Sequence, residues 1–252
     1  MPWDPKRYEQ FSEERYAPFD DLIELVRVRE GLRVVDLGCG TGELTRRLAD
    51  ALPGSDVLGI DSSPQMLVSA AKQARAGLRF EQRMVEDLSG EWDLIFSNAA
   101  IHWVADHHSL IPRLLSCLRA GGQLVVQMPS NWQHPTHTII DDVLAEEPFR
   151  TAFAGHGKNW TAETIDIYAQ LLYDNAGADV TVFEKIYPHV LEDADAMADW
   201  MSGTALVPYM ERLPVEQHEA FMARYRERLR ARFPSKPVFF GFRRILFAAS
   251  KA

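Results

Sequence analysis

The sequence predicts an α/β fold in which helices cover both faces of a doubly wound, mostly parallel β-sheet. Two observations support this prediction. Short apolar segments alternate with longer segments of helical pattern through the first 128 residues, and only a few residues separate them. The chain has 252 residues, of which 46% are hydrophobic and 25% charged, which is the size and balance of one globular domain.

The elements of the first half follow from turn and capping residues. Helices are expected to end at Pro53-Gly54, at Gly77 and at Gly121-Gly122, because glycine favours the residue after a helix and proline does not continue one. The predicted strands are 33–37, 56–60, 78–83, 92–97 and 123–128, and the predicted helices are 43–52, 64–76 and 106–118. Residues 20–29, before the first strand, have the pattern of an amphipathic helix.

The pattern changes after Met128. Residues 129–160 are rich in Pro, His, Asn and Trp and are predicted to form a long loop. The elements predicted next are a helix over 161–175 and strands over 180–187 and 238–249. Residues 188–237, between these two strands, have helical pattern and are predicted to form a helical cap over the open end of the sheet.

Charge and cysteine content limit the functions that the chain can have. Lys and Arg number 27 against 36 Asp and Glu, and this acidic balance argues against nucleic-acid binding, because phosphate contacts need a basic face. No apolar run approaches the ~18 residues that span a bilayer. With only two cysteines, Cys39 and Cys117, a disulfide framework is not expected. We therefore expect a cytoplasmic protein with neither a membrane nor a nucleic acid as partner.

The strongest motif is a glycine-rich turn between the first strand and the helix that follows it. Gly38, Gly40 and Gly42 have the spacing G-x-G-x-G, which permits a tight turn and close approach of a ligand to the backbone. A dinucleotide fingerprint has the different spacing G-x-G-x-x-G. Asp36 precedes the glycines and would favour a cationic ligand over a pyrophosphate. Asp61 closes the next strand, where a carboxylate can accept hydrogen bonds from ribose hydroxyls.

This motif, from Asp36 to Gly42 and then Gly59-Ile60-Asp61, resembles that of class I S-adenosylmethionine-dependent methyltransferases. The resemblance implies a Rossmann-like, seven-stranded sheet with a reversed last strand, and S-adenosyl-L-methionine as the cofactor. The cofactor-binding residues that it implies are Asp36, Gly38, Gly40, Gly42, Asp61, Ser62, Met66, Asp87, Leu88 and Asn98. A dinucleotide-binding dehydrogenase turn is the alternative interpretation. The Asn-Pro-Pro-Tyr motif of amide-nitrogen methylating enzymes is absent, which argues against methylation of DNA bases.

A second resemblance rests on segments outside the glycine turn. These segments run from Trp3 to Pro18, from Ile101 to Trp103, and from Gln127 to His137. They resemble the trans-aconitate methyltransferases, a family that esterifies one carboxylate of trans-aconitate to give a monomethyl ester. The alternatives are methylation of another small acid or of an acyl-carrier malonyl group, and a regulator that binds the cofactor without turnover. The implied division of 1–252 is a single domain, with an N-terminal lid over 1–30, a cofactor-binding core over 31–128 and the cap over 188–237.

The chemistry of a carboxylate acceptor determines which residues to look for. A carboxyl group in water has a pKa near ~4 and is ionised at pH 7, so the reaction needs no general base. The protein must instead align the reacting atoms and hold the other carboxylates, a task that suits arginine. The substrate-binding candidates are Arg15, His102, Trp132, His156, Trp160, Tyr209, Arg243 and Arg244. Because adjacent strand residues face opposite sides, at most one of Arg243 and Arg244 should face the pocket.

Two other patterns predict no site. Arg224, Arg228 and Arg232 recur every four residues on one helical face, which is typical of a solvated stripe. The histidines of residues 102–137 lack the carboxylate or thiolate partners and the spacing of a metal site, so no metal is expected.

Overall fold

The structure is a computed structural model that describes residues 13–154, 162–177 and 179–252. Within these residues seven strands form one sheet. In chain order they are Arg33–Leu37 (β1), Asp56–Asp61 (β2), Leu78–Gln82 (β3), Trp92–Asn98 (β4), Leu118–Pro129 (β5), Val180–Leu191 (β6) and Val238–Ser250 (β7). Their order across the sheet is β3-β2-β1-β4-β5-β7-β6.

Among the described residues, four α-helices precede β5, three lie between β5 and β6, and three lie between β6 and β7. They are Glu13–Glu24 (α1), Glu43–Ala51 (α2), Pro64–Ala70 (α3), His107–Ser116 (α4), Pro135–Leu144 (α5), Phe149–Ala152 (α6), Ile165–Ala176 (α7), Ala194–Ser202 (α8), Val207–Met210 (α9) and His218–Arg232 (α10). None of these helices is long and apolar enough to cross a membrane.

The sheet has the predicted doubly wound architecture. β1 pairs in parallel with β2 and β4, and β4 pairs in parallel with β5, so the carboxyl ends of these strands lie along one edge. β7 runs antiparallel to β5, with Gln123 opposite Ser250 and Pro129 opposite Arg244. The seven-stranded, mostly parallel sheet with a reversed last strand is therefore confirmed. In folds of this kind the ligand binds at the carboxyl edge.

Contacts divide the described residues into two compact units. The sheet unit comprises those of 16–129, 160–185 and 244–252, and the helical unit comprises those of 1–15, 130–159 and 186–243. The division of the chain into lid, core and cap stays a prediction, and residues 1–12 of the proposed lid lie outside the described residues.

The core of the sheet unit explains where α1 lies. Phe19 and Leu22 of α1 are buried against the sheet, and the Phe19 ring meets Phe96 of β4 edge-on at 5.8 Å. The helix predicted over 20–29 begins earlier and ends at Glu24. Its end has a physical cause in the side-chain amide of Gln123, because Oε1 accepts from the backbone N–H of Arg27 and Nε2 donates to the Leu25 carbonyl.

The long loop predicted over 129–160 was wrong, because α5 and α6 lie within it. Pro135 occupies the first turn of α5, where its missing N–H costs nothing, and the His134 side chain caps the helix by accepting from Thr136 N. Ile140 and Val143 then bury the apolar face of α5. β5 begins at Leu118 instead of 123, with a register shift against β4.

The helical unit contains its own aromatic core. Trp200 of α8 packs against Phe240, Phe242 and His189, with ring centroids 4.9–6.2 Å apart. Arg224 and Arg228 of α10 both form ion pairs with Glu146 at the surface, and Arg232 is exposed, so the predicted stripe keeps contact with solvent while two of its arginines are paired. One carboxylate thus fixes two successive turns of α10, an arrangement that depends on residues 78 and 82 positions apart and leaves no local pattern.

Candidate active site

The glycine turn follows β1, and each of its three glycines has positive φ. A Cβ atom on Gly38 would lie 2.2 Å from Cβ of Ala100, and one on Gly42 would lie 2.9 Å from Cα of Ala70. These two glycines therefore allow the turn to pack against the segments after β4 and in α3. A Cβ atom on Gly40 would meet nothing within 4 Å, so this is the position at which a ligand can approach the backbone.

Asp61, at the end of β2, holds the glycine turn and the start of α3 together. Its Oδ2 accepts from Gly40 N at 2.9 Å and its Oδ1 accepts from Ser63 N at 2.8 Å. Each carboxylate oxygen can accept a second hydrogen bond, so two acceptor sites remain for ligand hydroxyls. Ser63 caps α3 by accepting from Met66 N, and the neighbouring Ser62 is exposed.

Asp36, in β1, is a buried carboxyl group with 4% of its surface exposed. Its Oδ2 accepts a hydrogen bond from Thr45 Oγ1 of α2 at 2.6 Å, which ties the strand to the helix. Burial raises the pKa of Asp36 to about 7, the Thr45 hydrogen bond opposes that rise, and the negative charge of Asp61 adds to it. A cationic ligand nearby would favour the ionised form of Asp36. Asp36 and Asp61 form what we call the acceptor cluster.

A second cluster lies at the carboxyl ends of β4 and β5. Arg244 is only 8% exposed, and its Nη1 donates to Oε1 of Gln127 at 2.9 Å. Gln127 Nε2 in turn donates to Oδ1 of Asn98 at 2.6 Å. Arg244, Gln127 and Asn98 form what we call the donor cluster. All three residues belong to the sheet unit, as does the acceptor cluster.

Comparisons with known proteins show the family of the chain. A family model described as a methyltransferase domain matches residues 29–184. The chain is 43% identical over its whole length to the trans-aconitate 2-methyltransferase of Deinococcus radiodurans and covers 99% of that protein. It is 37% identical to the enzyme of the same name from Variovorax paradoxus, over 93% of this chain and 91% of that protein.

The chain belongs to the trans-aconitate 2-methyltransferase family. Solved structures show the same fold at low sequence identity. An S-adenosylmethionine dependent methyltransferase from Mesorhizobium loti is 22% identical with a TM-score of 0.51, over 92% of this chain and 96% of that one. The YcgJ protein from Bacillus subtilis is 15% identical with a TM-score of 0.62, over 94% and 98% of the two chains.

The acceptor cluster fits the cofactor of this methyltransferase family. S-adenosylmethionine is a cation that carries ribose hydroxyls. The turn has an open backbone at Gly40, Asp61 at the end of β2 has acceptor sites for hydroxyls, and Asp36 adds a buried carboxyl group in β1. Asp87 is exposed in the turn after β3. Leu88, which follows Asp87, is 2% exposed, and its carbonyl accepts from Arg113. Among the described residues, no three His, Cys, Asp or Glu side chains lie together as metal ligands.

His102 follows β4 in the one-turn helix Ile101–Trp103. Burial lowers the pKa of His102 to about 3, and the positive charge of Arg244 lowers it further, as does His107. His107 is itself buried and holds the turn in place, because its Nε2 donates to the Ile101 carbonyl at 2.9 Å. His102 is therefore neutral at pH 7 and lies close enough to Arg244 to sense its charge.

The remaining residues predicted to bind the substrate are divided between the two units. Arg244 is buried while Arg243 is exposed, so the expectation that these neighbours face different surroundings is confirmed. Arg243, Trp132 and Tyr209 belong to the helical unit, where the Tyr209 ring stacks on Phe153 at 5.7 Å. The candidates His156, Trp160 and the side chain of Arg15 lie outside the described residues.

Gln127 is the polar residue of the donor cluster that the sequence did not point to. It stands in the apolar run from Leu124 to Met128 and is 1% exposed. A glutamine in a buried strand must find partners for both its amide oxygen and its amide nitrogen. That requirement is the signal that could have identified Gln127, although it does not say which partners the fold supplies.

Proposed function

We propose that the protein transfers a methyl group from S-adenosyl-L-methionine to a carboxylate of trans-aconitate and produces the monomethyl ester. The observation that carries this proposal is the 43% identity to the trans-aconitate 2-methyltransferase of Deinococcus radiodurans. Many methyltransferases share the glycine turn, but this identity extends over the whole chain and so includes the segments outside that turn. Both cysteines of the described residues are free, and we place the reaction in the cytoplasm.

The cofactor supplies an electrophilic methyl group on a cationic sulfur when it is bound. Asp61 would accept hydrogen bonds from the ribose hydroxyls through the acceptor sites that Gly40 and Ser63 leave open. The open backbone at Gly40 would receive the methionine part, and the carboxylate of Asp36, when ionised, would favour the sulfonium. The residues proposed to surround the adenine are Ser62, Met66, Asp87 and Leu88.

The protonation state of His102 supports a carboxylate as the methyl acceptor. A hydroxyl or carbon acceptor would need a general base with a pKa near the working pH. His102, with a pKa of about 3, is a poor base at neutral pH. A carboxylate acceptor is already ionised and asks only for alignment and exclusion of water.

Local donors must bind the substrate, because the protein as a whole repels it. The chain has a net charge of −9, and trans-aconitate at neutral pH is a trianion. Arg244 is the strongest candidate, since a buried guanidinium in a region of low dielectric pairs tightly with a carboxylate. The other residues proposed to contact the substrate are Arg15, His102, Trp132, His156, Trp160, Tyr209 and Arg243.

The test is incubation of the purified protein with S-adenosylmethionine labelled in its methyl group and a panel of acids. The panel contains trans-aconitate, cis-aconitate, citrate and a malonyl-loaded acyl carrier protein. We expect base-labile label in trans-aconitate, with the highest kcat/KM of the panel. If another acid is labelled with a higher kcat/KM, that acid is the substrate instead of trans-aconitate. If the protein binds the cofactor and labels no acid, it acts as a regulator.

A further inference from the structure

The register of the sheet brings Asn98, Gln127 and Arg244 to the same face. Asn98 is directly opposite Gln127 in the β4–β5 pair, and Gln127 is directly opposite Leu246 in the β5–β7 pair. Side chains in register across a sheet point to the same face, as do residues two apart on one strand. Arg244, two residues from Leu246, therefore shares the face of Gln127 and Asn98.

The chemistry of arginine fixes the direction of the hydrogen bonds in the donor cluster. A guanidinium has only N–H donors, so the atom of Gln127 that faces Arg244 must be the amide oxygen. The Gln127 amide nitrogen then faces Asn98, and Asn98 must present its own oxygen to receive that hydrogen bond. The remaining amide nitrogen of Asn98 makes no hydrogen bond within the described residues, and the side chain is only half-buried.

We propose that Gln127 is a positioning residue that holds Arg244 and Asn98 as the two parts of one substrate-carboxylate site, to which Asn98 donates through its amide nitrogen. The inference rests on the proposed function and adds residues to it. The class resemblance assigned Asn98 to the cofactor; here its outward donor serves the acceptor substrate instead. Gln127 does not touch the substrate and acts through its two neighbours.

The ligand class follows from the groups that the cluster presents. The guanidinium of Arg244 and the amide nitrogen of Asn98 are both donors, and a carboxylate accepts from donors with both of its oxygens. A sulfonium offers no acceptor and would be repelled by Arg244. The methionine part of the cofactor also carries a carboxylate, so an experiment must separate the two sources.

Gln123 is a matched control within the same strand. It lies four residues before Gln127 on the same face of β5 and is also buried. Its amide oxygen accepts from Arg27 N at 3.0 Å and its amide nitrogen donates to the Leu25 carbonyl at 2.8 Å. Gln123→Glu and Gln127→Glu therefore each remove one buried donor, but only Gln127 contacts the donor cluster.

The experiment measures the KM for trans-aconitate, kcat, cofactor affinity and thermal unfolding of three variants. In Gln127→Glu the new carboxylate pairs with Arg244 and cannot donate to Asn98, so the Asn98 amide turns round. We expect the KM for trans-aconitate to rise about tenfold or more, with cofactor Kd within about twofold. Asn98→Asp keeps the acceptor for Gln127 and loses the outward donor, so it should raise KM similarly. Gln123→Glu should lower Tm and leave both KM and cofactor Kd within about twofold.

The results decide whether Gln127 and Asn98 help to bind a substrate carboxylate. A change of KM below about twofold in both Gln127→Glu and Asn98→Asp would overturn the proposal. A loss confined to cofactor affinity would also overturn it, because the cluster would then bind the carboxylate of the cofactor. Calorimetric binding of trans-aconitate to protein loaded with S-adenosylhomocysteine gives the same comparison without turnover. A wild-type protein that neither binds nor methylates trans-aconitate refutes the proposed function, whereas an active wild type with unchanged variants refutes only the role of Gln127 and Asn98.

Discussion

The acceptor cluster and the donor cluster occupy the carboxyl edge of the same sheet and have opposite character. Asp36 and Asp61 offer carboxylate oxygens, whereas Arg244 and Asn98 offer N–H groups. One cluster suits a cation with hydroxyls, and the other suits an anion. The contrast shows how one sheet edge can suit two oppositely charged reactants, because each cluster presents one kind of group to its ligand.

Removal of Arg244 should have the largest effect on the donor cluster. We expect Arg244→Ala to lower kcat/KM for trans-aconitate, with a loss of transition-state stabilisation of about 2–5 kcal/mol. The reason is that a substrate carboxylate is left unpaired in a desolvated site. Cofactor affinity should stay within about twofold. The comparison variant is Arg243→Ala, for which we expect a smaller loss, because Arg243 is exposed and its hydrogen bond to Asn131 uses its backbone N–H, which alanine keeps. Steady-state kinetics of both variants, with calorimetry for the cofactor, makes the measurement; equal losses in the two variants would contradict the contrast drawn here.

Removal of Asp61 should affect the acceptor cluster in the complementary way. Asp61→Ala deletes a carboxylate that accepts from Gly40 and Ser63 and is proposed to accept from the ribose. We expect cofactor binding to weaken by about 1.5–3 kcal/mol, the value of a hydrogen bond to a charged group. At saturating cofactor, the KM for trans-aconitate should change much less. Unchanged calorimetric affinity in a variant that circular dichroism shows to be folded would rule out this role.

A change of pH should act on the acceptor cluster through Asp36. Its pKa rises from 3.8 to about 7 in the folded protein, so between these values the folded state holds a proton that the unfolded state has lost. The contribution of Asp36 to stability is therefore present at low pH, declines as the pH rises through this window and is constant above it. Asp36→Asn should remove this part of the pH dependence of Tm.

The same carboxyl group should link cofactor binding to pH. A cationic cofactor favours ionised Asp36, so its affinity should rise several-fold between roughly pH 6 and 8. At saturating cofactor the rate should stay flat, since the acceptor carboxylate is ionised throughout this range. Titration calorimetry at each pH measures the affinity for the cofactor, and kcat at each pH measures the rate, so the two pH dependences are obtained separately. A rate that rises about tenfold with a pKa near 7 would indicate a general base and a different acceptor.

The contrast also explains what could be predicted from the sequence. The glycine turn and Asp61 come from one continuous βαβ segment, so their spacing alone indicates what they do. The donor cluster joins residues 98, 127 and 244, which meet only because the sheet places β7 beside β5 and β5 beside β4. Arg244 could be predicted because it is a charged residue in an apolar strand. Its pairing with Gln127 depends on the strand register, which cannot be predicted from a local sequence pattern. Helix α5 was missed for another reason, since Pro135 is both a loop signal and a good first residue of a helix.

The amide of Gln123 has a consequence for the order in which the chain folds. It mimics a peptide group and binds the main chain of residues 25–27 from 96 positions away. Closing so long a loop costs entropy before any contact is gained, so contacts of this kind form slowly. The ribosome must therefore have synthesised β5 before this amide can bind the chain that follows α1. Until then the apolar face of α1, with Phe19 and Leu22, stays uncovered by β5, and exposed apolar surface of this kind promotes aggregation.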